Sequence, residues 1–287
     1  MAASLFFAKL DSRSLVHVSG PDWRDFLQGQ LTQDALTLAP GEIRFAGLLT
    51  PQGKLLFDLF LIGAEEGCLI DVAAERREAL VRRLSIYRLR AKVDFTPLAE
   101  AVVALWPADA GPARPGWMAD PRLAELGWRG HDLAPPPGAE VVDEAAYHAH
   151  RLAQGVPDPD RDCPTETTYP IEANFDLLGG IDFRKGCFVG QETTSRMKRR
   201  GAIKNRMLPI TFEGEPPALG AEVLAGDRRA GEVLTGQDGH AMALLRLDRI
   251  EGPSLSVDGR AVKVERPSYF PSPLAGEGGA HGEAMGR

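Results

Sequence analysis

A chain of 287 residues that is 44% apolar has enough material for two or three modest cores, which excludes wholesale disorder. Its net charge of −7 excludes a protein that coats nucleic acid over its whole surface, although a local basic patch can still recruit anions. Three cysteines, Cys68, Cys163 and Cys187, show neither C-x-x-C pairing nor a disulfide framework, so a reducing compartment is expected, with the cytoplasm as the default.

The amino terminus has a short apolar patch, Leu5 to Phe7, with no basic leader, and no signal peptide is expected. Ser14 to Val18 reads as a strand. Pro21 then opens an amphipathic helix in which Trp23, Phe26, Leu27 and Leu31 recur at helical spacing. Glu42 to Leu49 and Leu55 to Ile62 flank the turn sequence Thr50-Pro51-Gln52-Gly53 and are expected to pair as a hairpin. The second of these is the most apolar window, but it is too short to cross a bilayer, and no membrane association is expected. Cys68 to Val72 is a third strand. The following helix, Ala74 to about Tyr87, buries Leu80 and Leu84 and exposes a basic face. Ala91 to Phe95 and Ala101 to Trp106 read as strands, giving the alternation of a two-layer α+β unit.

Between Pro107 and Pro137 the composition turns to Pro, Gly, Asp and Arg, with short strands suggested around Trp117 and Trp128. Asp143 to Gln154 is helical, stopped by Gly155 and Pro157. After Gly201 six short runs, beginning at Met207, Ala221, Gly231, Ala241, Ser254 and Ala261, alternate with turns, and Asp258-Gly259 is a hairpin signal. A small β-barrel or sandwich is expected there, followed by a disordered tail, 271–287.

The chemistry is concentrated in Lys185 to Glu192, K-G-C-F-V-G-Q-E. Cys187 follows Arg184 and Lys185, and Gly190-Gln191-Glu192 can open a helix; neighbouring cations and a helix amino terminus favour the thiolate, the form that attacks or ligates. Gly186 and Gly190 allow a tight turn or a close backbone approach. By contrast, Cys68 lies in an apolar strand and reads as core, and Cys163 lies in a polar loop and reads as exposed.

Asp58 is the single charge in its apolar window, which suits either a functional carboxylate or one turned toward solvent or an arginine. Glu172, Asn174 and Asp176 alternate. In an extended segment they would share one face and could bind a heterocycle or a metal; in a loop they would cap local backbone. From Arg184 to Arg206 eight basic residues stand against one acidic residue, Glu192. This run, Arg196 included, is open to two readings: a site for phosphate, a polyanionic tail or RNA, or a cationic helix end.

The octapeptide, with Arg196 and Gly201, resembles the signature of the YgfZ-type branch of the glycine cleavage T-protein superfamily. Val18 to Ala35, P-Q-G-K-L-L-F-D from Pro51, Y-R-L-R-A-K-V from Tyr87 and P-I-E-A-N-F-D from Pro170 support it by their order. The resemblance implies an α+β fold of interwoven ferredoxin-like folate-binding domains followed by a carboxyl-terminal β-barrel. On that plan residues 1–48 with 140–200 form the first domain, 49–139 the second and 201–270 the barrel.

It also implies binding of tetrahydrofolate or a one-carbon derivative, and service to iron–sulfur assembly factors or client enzymes, with an indirect effect on tRNA modification. Cys187, Lys185 and Asp58 would be the reactive set. Glu172, Asn174, Gly186, Gly190, Gln191, Glu192 and Arg196 would surround the ligand, and no metal site is expected. Two transferase carboxylates are missing, at Phe57 and Ala153, so aminomethyl transfer is the second reading and a non-catalytic RNA-binding module the third.

Overall fold

The computed structural model describes residues 4–107, 115–163, 166–201, 203–252 and 254–271. The expected tail, apart from Pro271, lies outside the described residues. In chain order the first elements are β1 (Leu5–Lys9), β2 (Arg13–Ser19), α1 (Trp23–Gln30), β3 (Ile43–Leu49), β4 (Leu55–Gly63), β5 (Cys68–Ala73), α2 (Arg77–Arg88) and β6 (Asp94–Pro97). The chain continues through β7 (Val102–Trp106), β8 (Met118–Ala119), β9 (Trp128–His131), β10 (Ala139–Val141), α3 (Glu144–Ala153), α4 (Pro159–Asp162) and α5 (Gln191–Arg200). The last strands are β11 (Asn205–Thr211), β12 (Glu222–Ala225), β13 (Arg228–Gln237), β14 (His240–Arg246), β15 (Leu255–Val257) and β16 (Arg260–Val264).

They form two five-stranded sheets, ordered β3-β4-β5-β2-β6 and β10-β1-β7-β9-β8, and a closed six-stranded barrel. β3 and β4 make the expected hairpin, with Gly47 opposite Asp58. Every residue of β4 is buried. One face of its sheet packs Leu59 and Leu61 under α1 and α2 with Leu27, Leu80 and Leu84. The other face sets Phe60 and Leu55 against Phe175, Ile171 and the barrel residues Met207 and Met242. A strand covered on both sides needs apolar residues at every position, hence the unbroken run with one carboxylate in it. Phe45 anchors this second core, its ring 4.5 Å from that of Phe175 and 5.2 Å from that of Phe60, contacts that add roughly 0.5–1.5 kcal/mol each beyond burial.

Two sequence expectations are corrected, and the amino-terminal patch gains an assignment. The domain boundary at 48/49 would split the β3–β4 hairpin; the two sheets instead divide the chain as 13–97 against 5–9 with 102–141. The apolar patch at Leu5 to Phe7 is strand β1, paired with β7 and, in parallel, with β10. The strand expected from Ala91 begins at Asp94 because Leu89, in a positive-φ conformation (φ 47), ends α2 with a turn. In the barrel Asp258 and Gly259 both take positive φ (50 and 76) and Val257 pairs with Arg260, the two-residue hairpin that their chemistry demands.

Candidate functional site

Of the three free thiols only that of Cys187 is exposed. Cys68 is fully buried in β5, and burial pushes its thiol up to about 12. Cys163 is half-buried rather than exposed, its sulfur 3.8 Å from that of Met207, and burial again holds the thiol well above its ordinary value. A thiol in that state is not a nucleophile at neutral pH.

The flanks of Cys187 are fixed while the thiol is presented. The Lys185 ammonium points inward and donates to the carbonyls of Gln28, Leu31 and Gln33 at 2.8, 2.6 and 2.8 Å, at the carboxyl end of α1. Burial lowers its pKa to about 8, against the pull of Asp34 and Asp182. The expected partner cation of the thiol is therefore a structural pin whose donors are already used. Val189 N–H donates to Gly29 O at 3.1 Å. Gly190 (φ +81) is wedged on the hairpin turn, where a Cβ would stand 2.6 Å from Thr50 O and 3.0 Å from Gly53 Cα, so only glycine fits. Gly186 differs: a Cβ there meets nothing and its backbone is ordinary, so no close approach requires it. Gln191 and Glu192 open α5, half-buried and exposed respectively, and Arg196 is exposed one turn later.

Asp58 lies elsewhere, inside the protein at 3% exposure. Arg13 donates to it at 2.9 Å and to Asp71 at 2.7 Å, and Arg129 closes on Asp71 at 2.6 Å. Arg122 pairs with Asp120 at 2.8 Å, and the guanidinium carbons of Arg13, Arg122 and Arg129 lie 5.5, 4.9 and 4.0 Å from the centre of the Phe60 ring. Burial opposes the charge on Asp71, but Arg13 and Arg129 outweigh it and hold the carboxyl below its usual range. The arginine-facing alternative for Asp58 is thus realised. Asp160, on α4, is pushed up to about 7 by burial and then by Asp58.

Immediately around Asp58 the described residues leave little room. The space lined by Asp58, Phe60, Arg122, Arg129 and Tyr147 is about 20 Å³, room for a water, while beside it Arg13, Arg76, Asp158 and Asp160 border an open cavity of about 290 Å³, at the lower edge of the roughly 300–1,000 Å³ of small-molecule sites. Phe57 is buried with Arg76 over its ring at 4.4 Å, and Ala153 faces solvent. Glu172 and Asn174 are not free to hold a ligand either. Their segment is a series of turns, not a strand. Glu172 accepts from Tyr169 N–H at 2.9 Å and Asn205 at 3.3 Å; Asn174, fully buried at φ +60, donates to Met207 O at 2.7 Å and accepts from Arg206 at 3.1 Å. Arg206 also forks onto Asp176 at 2.8 and 2.9 Å. The triplet is a clasp on the barrel. Sequence reasoning missed its cation and likewise Arg13 and Arg151, the last paired with Asp162 at 2.7 Å. An arginine in a sequence carries no mark of burial.

Residues 204–272 match the family model described as CAF17, C-terminal beta-barrel domain. The glycine cleavage system aminomethyltransferase T of Bartonella henselae superposes with a TM-score of 0.75 over 93% of this chain and 87% of its own, at 20% identity, so the chain has the aminomethyltransferase fold. It is 37% identical to the mitochondrial iron–sulfur cluster assembly factor IBA57 of Homo sapiens, covering 85% of this chain and 78% of that protein. The mouse protein is 33% identical with the same coverage, and the Pyricularia oryzae homologue 33% identical over 84% and 72%. These relatives are named mitochondrial, which overturns the cytoplasmic expectation: unpaired cysteines report a reducing environment and do not tell one reducing compartment from another. By similarity along most of both chains, this protein belongs to the IBA57 family of iron–sulfur cluster assembly factors.

Proposed function

We propose that this chain is an accessory protein of iron–sulfur cluster assembly or repair, in which the Cys187 thiolate supplies one ligand to a cluster held chiefly by another protein. The observation that carries this reading is the exposed thiol on a loop pinned at both ends, by Lys185 to α1 and by Gly190 to the β3–β4 turn. Pinning lowers the entropy lost when the sulfur engages a partner. One thiol does not complete a four-ligand cluster, and among the described residues no group of three or more His, Cys, Asp or Glu is placed to hold a metal. The other ligands come from the partner. The octapeptide also supports grouping the chain with YgfZ-type members, and effects on tRNA modification follow indirectly, through enzymes that need a cluster.

Cys187→Ser is expected to abolish maturation of iron–sulfur enzymes in cells lacking the endogenous factor, while the purified variant melts as the parent does, because an exposed sulfur contributes little to packing. Normal enzyme activity in those cells would remove the reading. The engagement of Glu172 and Asn174 by β11 favours a chain that works without folate: titration calorimetry with millimolar tetrahydrofolate is expected to give no saturable heat, and saturable binding would point to the open cavity beside Arg13. The ion pair with Arg13 disfavours the aminomethyltransferase alternative, since the Asp58 carboxylate is already engaged.

A further inference from the structure

Eight cations lie between Arg184 and Arg206, and the structure divides them. Lys185 and Arg206 turn inward. Arg184, Arg196, Lys198, Arg199 and Lys204 are exposed, and among the described residues none of the five is in an ion pair with a carboxylate. Helix α5 buries Thr194 and packs Met197 on the second core, which leaves Arg196, Lys198 and Arg199 on the outer arc. A groove of about 510 Å³ runs along that arc, lined by Phe183, Gln191, Glu192, Ser195, Lys198 and Arg199. Cations in a last turn are favoured by the helix dipole. Yet Arg184 and Lys204 lie outside the helix, so the excess is not only a helix-end preference.

Cys187 stands three residues after Arg184 and four before Gln191, within about 14 Å of chain reach of each, so the thiol lies between one exposed cation and the helix that carries three of the others. A cluster ligated by thiolates is an anion, and its holder must bring that charge to a surface that is positive only locally, on a protein of net charge −7. We infer that the outer arc of α5, with Arg184 and Lys204, is the docking surface for an acidic face of the cluster-holding partner, steering its cluster to Cys187. This inference rests on the cluster reading proposed above. A protein is favoured over RNA on two grounds. The overall charge repels a long polyphosphate. The one aromatic ring of the groove, Phe183, is already covered by Lys198 at 4.4 Å and does not offer a stacking platform for bases.

The test uses the full chain and alkylation of Cys187, since Cys68 and Cys163 are sheltered. A decaglutamate peptide is expected to slow alkylation about tenfold at low salt and little at high salt, and Arg196→Glu/Lys198→Glu/Arg199→Glu is expected to lose nearly all of that protection. Each protection is referred to the same protein's unprotected rate, and the variant should alkylate at one thiol and not three, since unfolding would expose Cys68 and Cys163 as well. Protection by a short single-stranded RNA but not by the peptide would overturn the assignment in favour of nucleic acid. In cells the triple variant is expected to fail in iron–sulfur enzyme maturation. Full activity of the triple variant alongside a defective Cys187→Ser would overturn the docking surface and leave the cluster reading standing. Full activity of Cys187→Ser would remove the reading beneath it.

Discussion

Arg13→Met is expected to destabilise the protein by about 3–5 kcal/mol, the range seen when one member of a buried ion pair is removed. Arg13 donates to Asp58 and Asp71, which are 3% and 1% exposed. Arg129 would still serve Asp71; Asp58 would have no cation. The loss is a large share of the roughly 5–15 kcal/mol by which a domain is stable.

Its pH dependence has a definite sign. In the parent, Asp71 is held below its usual range, so its contribution is present above about pH 4 and fades as pH falls through the folded value. Without Arg13 the folded-state value of Asp71 rises, and the variant binds more protons when folded than the parent does. The deficit should therefore be greatest at alkaline pH and shrink as pH falls toward the carboxylate range. Urea melts of both proteins across pH measure it. A deficit that is flat with pH would mean that the arginine contributes packing and not charge. Arg13→Met/Asp58→Leu, which removes the orphaned charge, is expected to recover much of the loss.

Arg206→Met is expected to cost a similar amount, about 3–5 kcal/mol, with the damage localised at the join between barrel and sheets. This one side chain donates to Ile171 O at 2.9 Å, to Asn174 at 3.1 Å and to both oxygens of Asp176. Its loss leaves Asp176, whose side chain is 3% exposed, without a cation. Amide exchange should quicken in the Ile171–Gly180 turns and at Met207, whose N–H donates to Glu172 O at 2.8 Å, while the β12–β15 pair, across the closed barrel from β11, keeps its protection. Uniform exchange throughout the chain would show instead that barrel and sheets unfold as one unit. Arg206→Lys should rescue poorly, because an ammonium cannot make the two-pronged contact to Asp176.

The sequence by itself determined most of the secondary structure and the class of fold. Helical spacing of Trp23, Phe26 and Leu27, the turn chemistry of Thr50 to Gly53 and the Asp258-Gly259 hairpin each act within a few residues, so each could be read without knowing the rest of the chain. The octapeptide was legible for the same reason, and Cys187 is indeed the exposed thiol within it. Roles that depend on distant partners were not legible. Lys185 looked like a cation for the thiol until α1, more than 150 residues earlier in the chain, placed three carbonyls around its ammonium. Asp58 looked equally suited to chemistry or to pairing until Arg13 and the second sheet enclosed it, and Glu172 and Asn174 looked like a ligand face until β11 took their hydrogen bonds. Only the tertiary structure decided these, because burying a charged or polar group is costly without a partner, and the partner is set by topology and not by neighbours in the chain.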